Sequence, residues 1–281
     1  MSYGPNPWQQ AHWDWRAAGN FICGGAGSGL LVFTALSGAR GGAATLLVLA
    51  ALALVGLGLL CVWLEIGRPM RALHVFFNPR TSWMTREGFV AALLFPTGLA
   101  AAAGLSGAVW VAALLALAFV YCQGRILRAA RGIPAWREPL VVPMIVTTGL
   151  AEGGGLFLFA HPLHGEASQA LMALFGALLA ARWLAWLAYR RRLAPTAAPR
   201  ALSALDRAGG TLETIGTWLA LALVAPAGIG LVGGAGAAVL AALACILAAG
   251  AGAWLKYTLV TRAAFNQGFA LAKLPVRGAR P

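Results

Sequence analysis

The stretch Trp63–Gly88, WLEIGRPMRALHVFFNPRTSWMTREG, lies between two long apolar segments and is rich in arginines, acids and amides. Charged residues make up only 10% of the whole chain, so this concentration of polar side chains is unusual for the protein. Two interpretations are open. The stretch is either an ordinary positively charged loop at a membrane border or a structured re-entry that floors a pocket.

Local signals in this stretch favour a structured segment. The Gly-x-Pro sequence at 67–69 stops the preceding helix, and residues 71–77 are typical of a short helix lying in the interface. Ser82 or Thr85 can cap the following helix, with Glu87 in its first turn. Each end of the stretch is therefore predicted to be fixed by a helix terminus.

The composition indicates a polytopic membrane protein. Of the 281 residues 60% are hydrophobic, and the mean hydropathy is +0.77; soluble domains are about half apolar. The net charge of +13 does not indicate nucleic-acid binding, because the basic residues occur in short bursts between apolar runs. No cleavable signal peptide precedes the first apolar segment, so that segment is expected to direct its own insertion.

Eight apolar segments are long enough to span a bilayer, which takes about 20 helical residues. We therefore predict an all-α integral membrane protein with eight transmembrane helices arranged as two four-helix bundles. The predicted helices lie near Ala17–Gly38, Ala43–Ile66, Met84–Gly104, Gly107–Leu127, Pro139–His161, Glu166–Tyr189, Gly209–Leu231 and Ala235–Tyr257.

The distribution of basic residues predicts the orientation. With eight helices, nearly all of the 21 lysines and arginines fall on the side that carries both termini, including Lys256. Arg40 falls on the opposite side and Arg182 lies inside the sixth helix. By the positive-inside rule both termini are cytoplasmic.

The chain divides into four parts on this topology. An interfacial cytoplasmic N-terminus covers residues 1–16, the first four helices with the polar stretch cover 17–138, the last four helices cover 139–257, and a cytoplasmic docking tail covers 258–281. Arginines and prolines at 190–206 predict a further flexible loop able to meet a partner.

The cysteines and histidines do not form a metal site in this sequence. The four cysteines lie in separate apolar segments, without a CxxC pair, so they predict no iron–sulfur cluster and no structural zinc. The four histidines lie outside the helices or at their borders, so no pair is placed to ligate haem. Any redox metal is expected on a partner subunit.

The polar stretch resembles a known family. Gly-x-Pro-x-Arg-Ala at 67–72 and Ser-Trp-x-x-Arg-Glu at 82–87 are similar to motifs of the dimethyl sulfoxide reductase membrane anchor (DmsC type) and its NrfD-like relatives. Arg262 and Phe265 resemble the Arg-x-x-Phe at the end of that anchor's last helix. In that branch a histidine before the glycine and an acid at the start of the third helix are associated with the quinol site; here Glu65 and Glu87 occupy those positions.

The resemblance implies a membrane anchor that exchanges electrons with menaquinone or ubiquinone. Its partners would be a four-cluster ferredoxin-like iron–sulfur subunit and a molybdopterin catalytic subunit, in the bacterial cytoplasmic (inner) membrane. The enzyme would be similar to sulfite dehydrogenase, phenylacetyl-CoA:acceptor oxidoreductase or dimethyl sulfoxide reductase. Neither nucleic acid nor a haem on this chain is expected.

A quinone site needs an apolar slot, hydrogen-bond donors for two carbonyl oxygens, and a group that exchanges protons. Trp83 and Phe76 are expected to form apolar walls, and Glu65 or Glu87 to exchange protons. The candidate quinone-binding residues are Arg68, Arg71, His74, Asn78, Arg80, Ser82, Trp83, Arg86 and Arg262. Each arginine taken alone is equally typical of a loop charge.

A small secondary transporter is the alternative function. Transporters place their site near the midplane between interrupted helices, with matching glycine or proline interruptions in the two halves. The sequence GLAEGGG around Glu152 has only the glycine run at 24–29 as a counterpart, at a different predicted depth. Glu152 itself is predicted to be structural or to line the cavity for the quinone tail, with electroneutral turnover.

Overall fold

The structure, a computed structural model, describes residues 4–66, 69–105, 107–160 and 168–269. The side chains at 69–72 are not described. Within these ranges the chain is helical, apart from turns, irregular segments and an isolated antiparallel bridge between Gln9 and Phe265.

The long helices follow the predicted apolar segments. They are α1 Trp15–Ser37, α2 Gly41–Glu65, α3 Trp83–Ala102, α4 Ala108–Ala129, the short α5 Pro134–Arg137, α6 Val141–Phe159, α7 Gln169–Leu193, α8 Pro199–Glu213, α9 Ala220–Gly228 and α10 Gly234–Tyr257. A 3-10 helix covers Pro69–Phe77, and π-helical turns cover Thr214–Leu219 and Thr258–Arg262. The π-helical turn joins α8 to α9 without a break, so one continuous span runs from Pro199 to Gly228.

Seven helices among the described residues are long and apolar enough to cross a membrane. The chain is therefore a multi-pass, all-α membrane protein, as its composition predicts. The predicted third helix is present as α3, but it is not one of these seven. Arg86 and Glu87 near its start lower its apolar character.

Helix α1 is central to the packing and contacts helices of both halves of the chain. It packs against α2 and α4 in the first half and against α6 and α10 in the second. The contact with α6 is made by glycines: a Cβ on Gly153 would lie 2.1 Å from the backbone nitrogen of Leu30, and a Cβ on Gly29 would lie 2.5 Å from the carbonyl oxygen of Gly149. Small residues of this kind allow helix backbones to approach closely in membranes.

These contacts correct one expectation about the two glycine runs. The runs of α1 and α6 were predicted to lie at different depths, but they face each other directly. Both helices continue without interruption through the glycines. The glycines therefore serve a close helix contact and do not break either helix.

The two ends of the described chain lie side by side. The backbone nitrogen of Gln10 donates to the carbonyl oxygen of Ala264 at 2.9 Å, and the backbone nitrogen of Asn266 donates to the carbonyl oxygen of Trp8 at 3.0 Å. Asp14 caps α1 by accepting from the backbone nitrogen of Arg16 at 2.8 Å, and the Arg16 guanidinium lowers the pKa of the Asp14 carboxyl. The segments before α1 and after α10 therefore share one face of the protein.

Two predicted segments differ from the structure. The loop expected at 190–206 is largely helical, because α7 extends to Leu193 and α8 begins at Pro199; an ion pair of 2.5 Å joins Arg190 to Asp206. Proline at the first helical position is compatible with a helix start, since its missing N–H has no partner there. Of the tail, Thr258–Arg262 continues the last helix and residues 263–268 pair with the N-terminal segment, whereas residues 270–281 lie outside the described ranges.

Candidate functional site

A cavity of about 340 Å³ opens between α2, α3 and the 3-10 helix. We call it the apolar cavity, because the part of its wall that the structure describes is hydrophobic except for one carboxyl group, that of Glu87. Its volume is within the range of small-molecule sites. The lining residues are Leu59, Val62, Trp63, Ile66, Leu73, Val75, Phe76, Met84, Glu87, Gly88, Ala91, Ala92 and Phe95.

Two helical stripes build this wall. On α2 the lining positions are spaced by three, four and seven residues from Leu59 to Ile66, and on α3 the same spacing continues from Met84 to Phe95. Trp63 and Leu73 at the rim are 43% and 63% exposed, so the cavity is open to the surroundings of the helices. An apolar chain can enter from this side.

A second cavity of about 200 Å³ lies on the other side of Glu87. We call it the inner cavity; it is lined by Trp13, Ala17, Asn20, Phe21, Val62, Glu65, Ile66, Met84, Glu87 and Ile126. Glu87 is only 5% exposed and lines both cavities. Asn20 donates a hydrogen bond of 3.3 Å from Nδ2 to Glu87 Oε1.

The two predicted proton-exchanging acids therefore have different positions. Glu87 is buried at the wall shared by the two cavities, whereas the half-buried Glu65 ends α2 and lines the inner cavity alone. Glu87 was predicted as a first-turn charge of the helix, but it lies in the fifth position and points into the protein. Thus Glu87, and not Glu65, is the acid that an occupant of the apolar cavity meets.

The segment before α3 is held by its own backbone and by Arg86. Ser82 caps α3, as predicted, by accepting from the backbone nitrogen of Thr85 at 3.3 Å. The Thr85 hydroxyl in turn donates to the carbonyl oxygen of Val75. Arg86 donates to the carbonyl oxygens of Pro79 (3.0 Å) and Arg80 (2.9 Å). These bonds fix the floor of the apolar cavity against α3.

Several predicted binding residues lie away from the cavity wall. His74, Asn78 and Arg80 are exposed, and none of them lines either cavity. The Arg71 side chain is not described, and Arg68 lies outside the described residues. Of the two predicted apolar walls, Phe76 lines the apolar cavity and Trp83 does not.

Trp83 and Arg262 have other contacts. The Trp83 ring lies under two guanidinium groups, those of Arg86 and Arg125, each 4.1 Å from its centroid. The Arg262 guanidinium lies over the Trp254 ring at 4.6 Å, at the end of the last helix. Neither residue lines the apolar or the inner cavity.

A buried ionic cluster lies deeper in the protein, and the sequence analysis did not predict it. Lys256 Nζ contacts Glu152 Oε2 at 2.6 Å and donates to the carbonyl oxygen of Phe21 at 2.8 Å. Arg182 donates to the carbonyl oxygens of Ala248 (2.8 Å) and Gly216 (2.5 Å). All three residues are at most 1% exposed. Lys256 is therefore a buried residue and not a charge of the cytoplasmic face, and Glu152 lines neither cavity.

A second buried amide lies beside Asn20, the hydrogen-bond partner of Glu87. Gln123 on α4 donates from Nε2 to the carbonyl oxygen of Asn20 at 2.7 Å and is fully buried. A polar side chain inside an apolar helix is costly unless it has a partner, and this is the signal by which Asn20 and Gln123 could have been found from sequence. Together, Glu87, Asn20 and Gln123 form a polar group at the inner side of the apolar cavity.

Comparisons with known proteins add no assignment. A scan against protein-family models finds no matching family, and a search of curated proteins finds no match either. The function is therefore argued from the cavity and its residues.

Proposed function

We propose that this chain is the membrane anchor subunit of a molybdopterin and iron–sulfur oxidoreductase, and that it exchanges electrons between partner iron–sulfur clusters and the membrane quinone pool. The proposal combines the motif resemblance at 67–72 and 82–87 with the position of Glu87. The enzyme would be similar to sulfite dehydrogenase, phenylacetyl-CoA:acceptor oxidoreductase or dimethyl sulfoxide reductase. This chain would carry no metal itself and would act as the quinone-reactive subunit.

The single carboxyl in an otherwise hydrophobic cavity is the observation that carries the proposal. Menaquinone and ubiquinone combine an apolar tail with a ring that takes up two electrons and two protons on reduction. The apolar stripes of α2 and α3 suit the tail, and the exposed rim at Trp63 and Leu73 provides entry from the bilayer. Glu87 is the group in this wall that can donate or accept a proton.

We further propose that α3 is an eighth membrane span and that the helices form two bundles joined through α1. An even number of spans agrees with the pairing of the two chain ends on one face. The concentration of basic residues on that face favours a cytoplasmic location in a bacterial inner membrane, where the partner subunits would dock.

The orientation is tested with reporter fusions. Alkaline phosphatase fused after Pro281 should be inactive, and a fluorescent protein at the same site should be bright, because the basic face is retained in the cytoplasm. A fusion in the turn between α1 and α2, at Ala39, should give active phosphatase. Active phosphatase at Pro281 would contradict the proposed orientation.

Filling the apolar cavity tests the quinone site directly. Ala92→Trp places a large ring in the cavity, so the purified chain should bind decylubiquinone at least about tenfold more weakly, a loss of about 1.4 kcal/mol. Equilibrium dialysis measures the affinity. Leu93→Trp is the matched control, since Leu93 is 58% exposed and does not line the cavity. Equal binding by the two variants would place the quinone elsewhere.

The buried ionic cluster keeps a secondary transporter as a second candidate. Ionisable residues deep in a membrane protein often mark ion pathways, and Glu152, Lys256 and Arg182 meet this description. Against a transporter, α1 and α6 are continuous where a substrate site between broken helices would lie. Purification from the native membrane distinguishes the two: an anchor should bring a large molybdopterin subunit and a small cysteine-rich subunit, and a transporter should come alone.

A further inference from the structure

The buried charges of the protein balance in an unusual way. Among the described residues the buried acids and bases are Glu87, Glu152, Arg182 and Lys256. In the charge count the permanent positive charge of Arg182 offsets the negative charge of Glu152, although this carboxylate makes its ion pair with Lys256. This leaves one acid, Glu87, and one base, Lys256. The total charge is zero when both are ionised and also zero when both are neutral.

A proton can therefore move between Glu87 and Lys256 without changing the net charge of the interior. Such a move avoids the large cost of an uncompensated buried charge. The two groups also lie at different depths. With a rise of 1.5 Å per residue, Glu87 lies about 6 Å along α3 from its first residue. Glu152, the ion-pair partner of Lys256, lies about 16 Å along α6 from its first residue.

Polar atoms that lack protein partners lie near each of the two groups. Asn20 Oδ1, Gln123 Oε1 and Glu152 Oε1 are buried and have no hydrogen-bond partner in the part of the chain that the structure describes. Buried polar atoms of this kind are usually satisfied by internal water. Asn20 also lines the inner cavity, whose volume of about 200 Å³ has room for several waters.

The remaining gap is short. A Cβ placed on Gly25 would lie 2.4 Å from Lys256 Nζ and 3.7 Å from Gln123 Oε1, so these two atoms are within about two hydrogen-bond lengths of each other. A route from Lys256 past Gln123 and Asn20 to Glu87 needs one bridging water at this point.

We propose that Glu87 and Lys256 share one mobile proton through an internal hydrated path along Asn20 and Gln123. In the transfer an N–H bond of the Lys256 ammonium breaks and an O–H bond forms on the Glu87 carboxylate; no electron moves. The path ends at the ionic cluster and does not continue to the opposite face, so proton movement along it carries no net charge across the membrane.

The functional consequence rests on the proposed quinone chemistry. Quinone reduction consumes two protons, with two electrons delivered one at a time by the reduced iron–sulfur clusters of the partner, and the apolar cavity offers one acid among the described residues, Glu87. After Glu87 gives up its proton, Lys256 reprotonates it within the closed interior. Lys256 is thus a positioning residue that acts through Glu87. Glu65 at the inner cavity connects this pair of proton-sharing groups to the cytoplasmic border.

Infrared spectroscopy of the full chain in lipid nanodiscs at pH 7, without quinone, tests the proton sharing. The carbonyl stretching band of protonated Glu87 is assigned by its loss in Glu87→Gln. Lys256→Met removes the competing base, so the band should grow to that of a fully protonated carboxyl. Lys256→Arg introduces a permanent cation, so the same band should be lost. A purely structural role of Lys256 predicts no such opposite changes.

Further variants secure the result against misfolding. Glu152→Gln keeps the side-chain size and leaves the permanent charge of Arg182 uncompensated, so Glu87 should stay ionised and the band should be lost; this variant decides the question if the Lys256 variants do not fold. Arg128→Met, at the exposed end of α4, is the control and should leave the band unchanged. An equal band in all folded cluster variants would overturn the shared proton. Because no quinone is present, this outcome is independent of the decylubiquinone measurement.

Discussion

Glu87→Gln should reduce quinone-linked turnover of the assembled complex by about 100-fold or more, the usual loss when a general acid or base is removed. Glutamine keeps the shape of the side chain and its hydrogen bond to Asn20, but it cannot donate an acidic proton to the apolar cavity. Turnover with an artificial redox dye should remain normal, because the dye takes electrons from the partner subunits. The ratio of quinone-linked to dye-linked rates measures the effect.

Two controls sharpen this result. Glu213→Gln changes an acid that lines neither cavity and should leave the ratio unchanged. Glu65→Gln should have a smaller effect than Glu87→Gln, since Glu65 lines only the inner cavity. If the Glu87→Gln complex assembles and reduces quinone at the normal rate, Glu87 is not the proton-exchanging group.

Gly153→Ala should strongly destabilise the protein. The added Cβ would lie 2.1 Å from the Leu30 nitrogen and 2.4 Å from the Ala26 carbonyl oxygen, both backbone atoms of α1 that cannot move aside. The helices α1 and α6 must separate, and the overpacking should cost about 3 kcal/mol, the upper end of the usual range. A thermal unfolding curve in detergent, or the yield of folded protein, measures this loss.

The matched substitution is Gly250→Ala on α10. A Cβ on Gly250 has no heavy atom within 4 Å, so alanine should be neutral or slightly stabilising in this helix. A Gly153→Ala protein as stable as Gly250→Ala would show that α1 and α6 are not in close contact.

The sequence predicts the helices and the place of the cavity well. Apolar length alone places the other long helices, but the span that begins at Pro199 starts ten residues before the predicted helix at Gly209; the serine at 82 marks the start of α3. The stripe of α3 that faces the cavity is also visible in the sequence, from Met84 through Glu87 to Ala91. The helical period alone leaves Trp83 at the edge of this stripe, four residues before Glu87, and only the structure places it under Arg86 and Arg125.

The ionic cluster could not be assembled from the sequence. Lys256 is near the end of an apolar segment, where a lysine is typical of the membrane border, and only the tertiary fold directs its side chain inward to Glu152. Arg182 is recognisable as a charge inside a helix, but its partner Gly216 belongs to a π-helical turn that shifts the carbonyl groups. Contacts between residues far apart in sequence are not encoded in local patterns.

The pairing of the chain ends sets an order for biogenesis. The hydrogen bond between Trp8 and the Asn266 side chain joins residues 258 positions apart, so the segment around Trp8 lacks this partner until the last helix is made. Until then Trp8 lacks its backbone and side-chain partners, whereas Trp13 can already stack on Trp136 once α5 is made. Pairing of the segment before α1 with residues 263–268 is therefore a late maturation step. Chains truncated before residue 263 should expose the unpaired segment before α1 to membrane proteases.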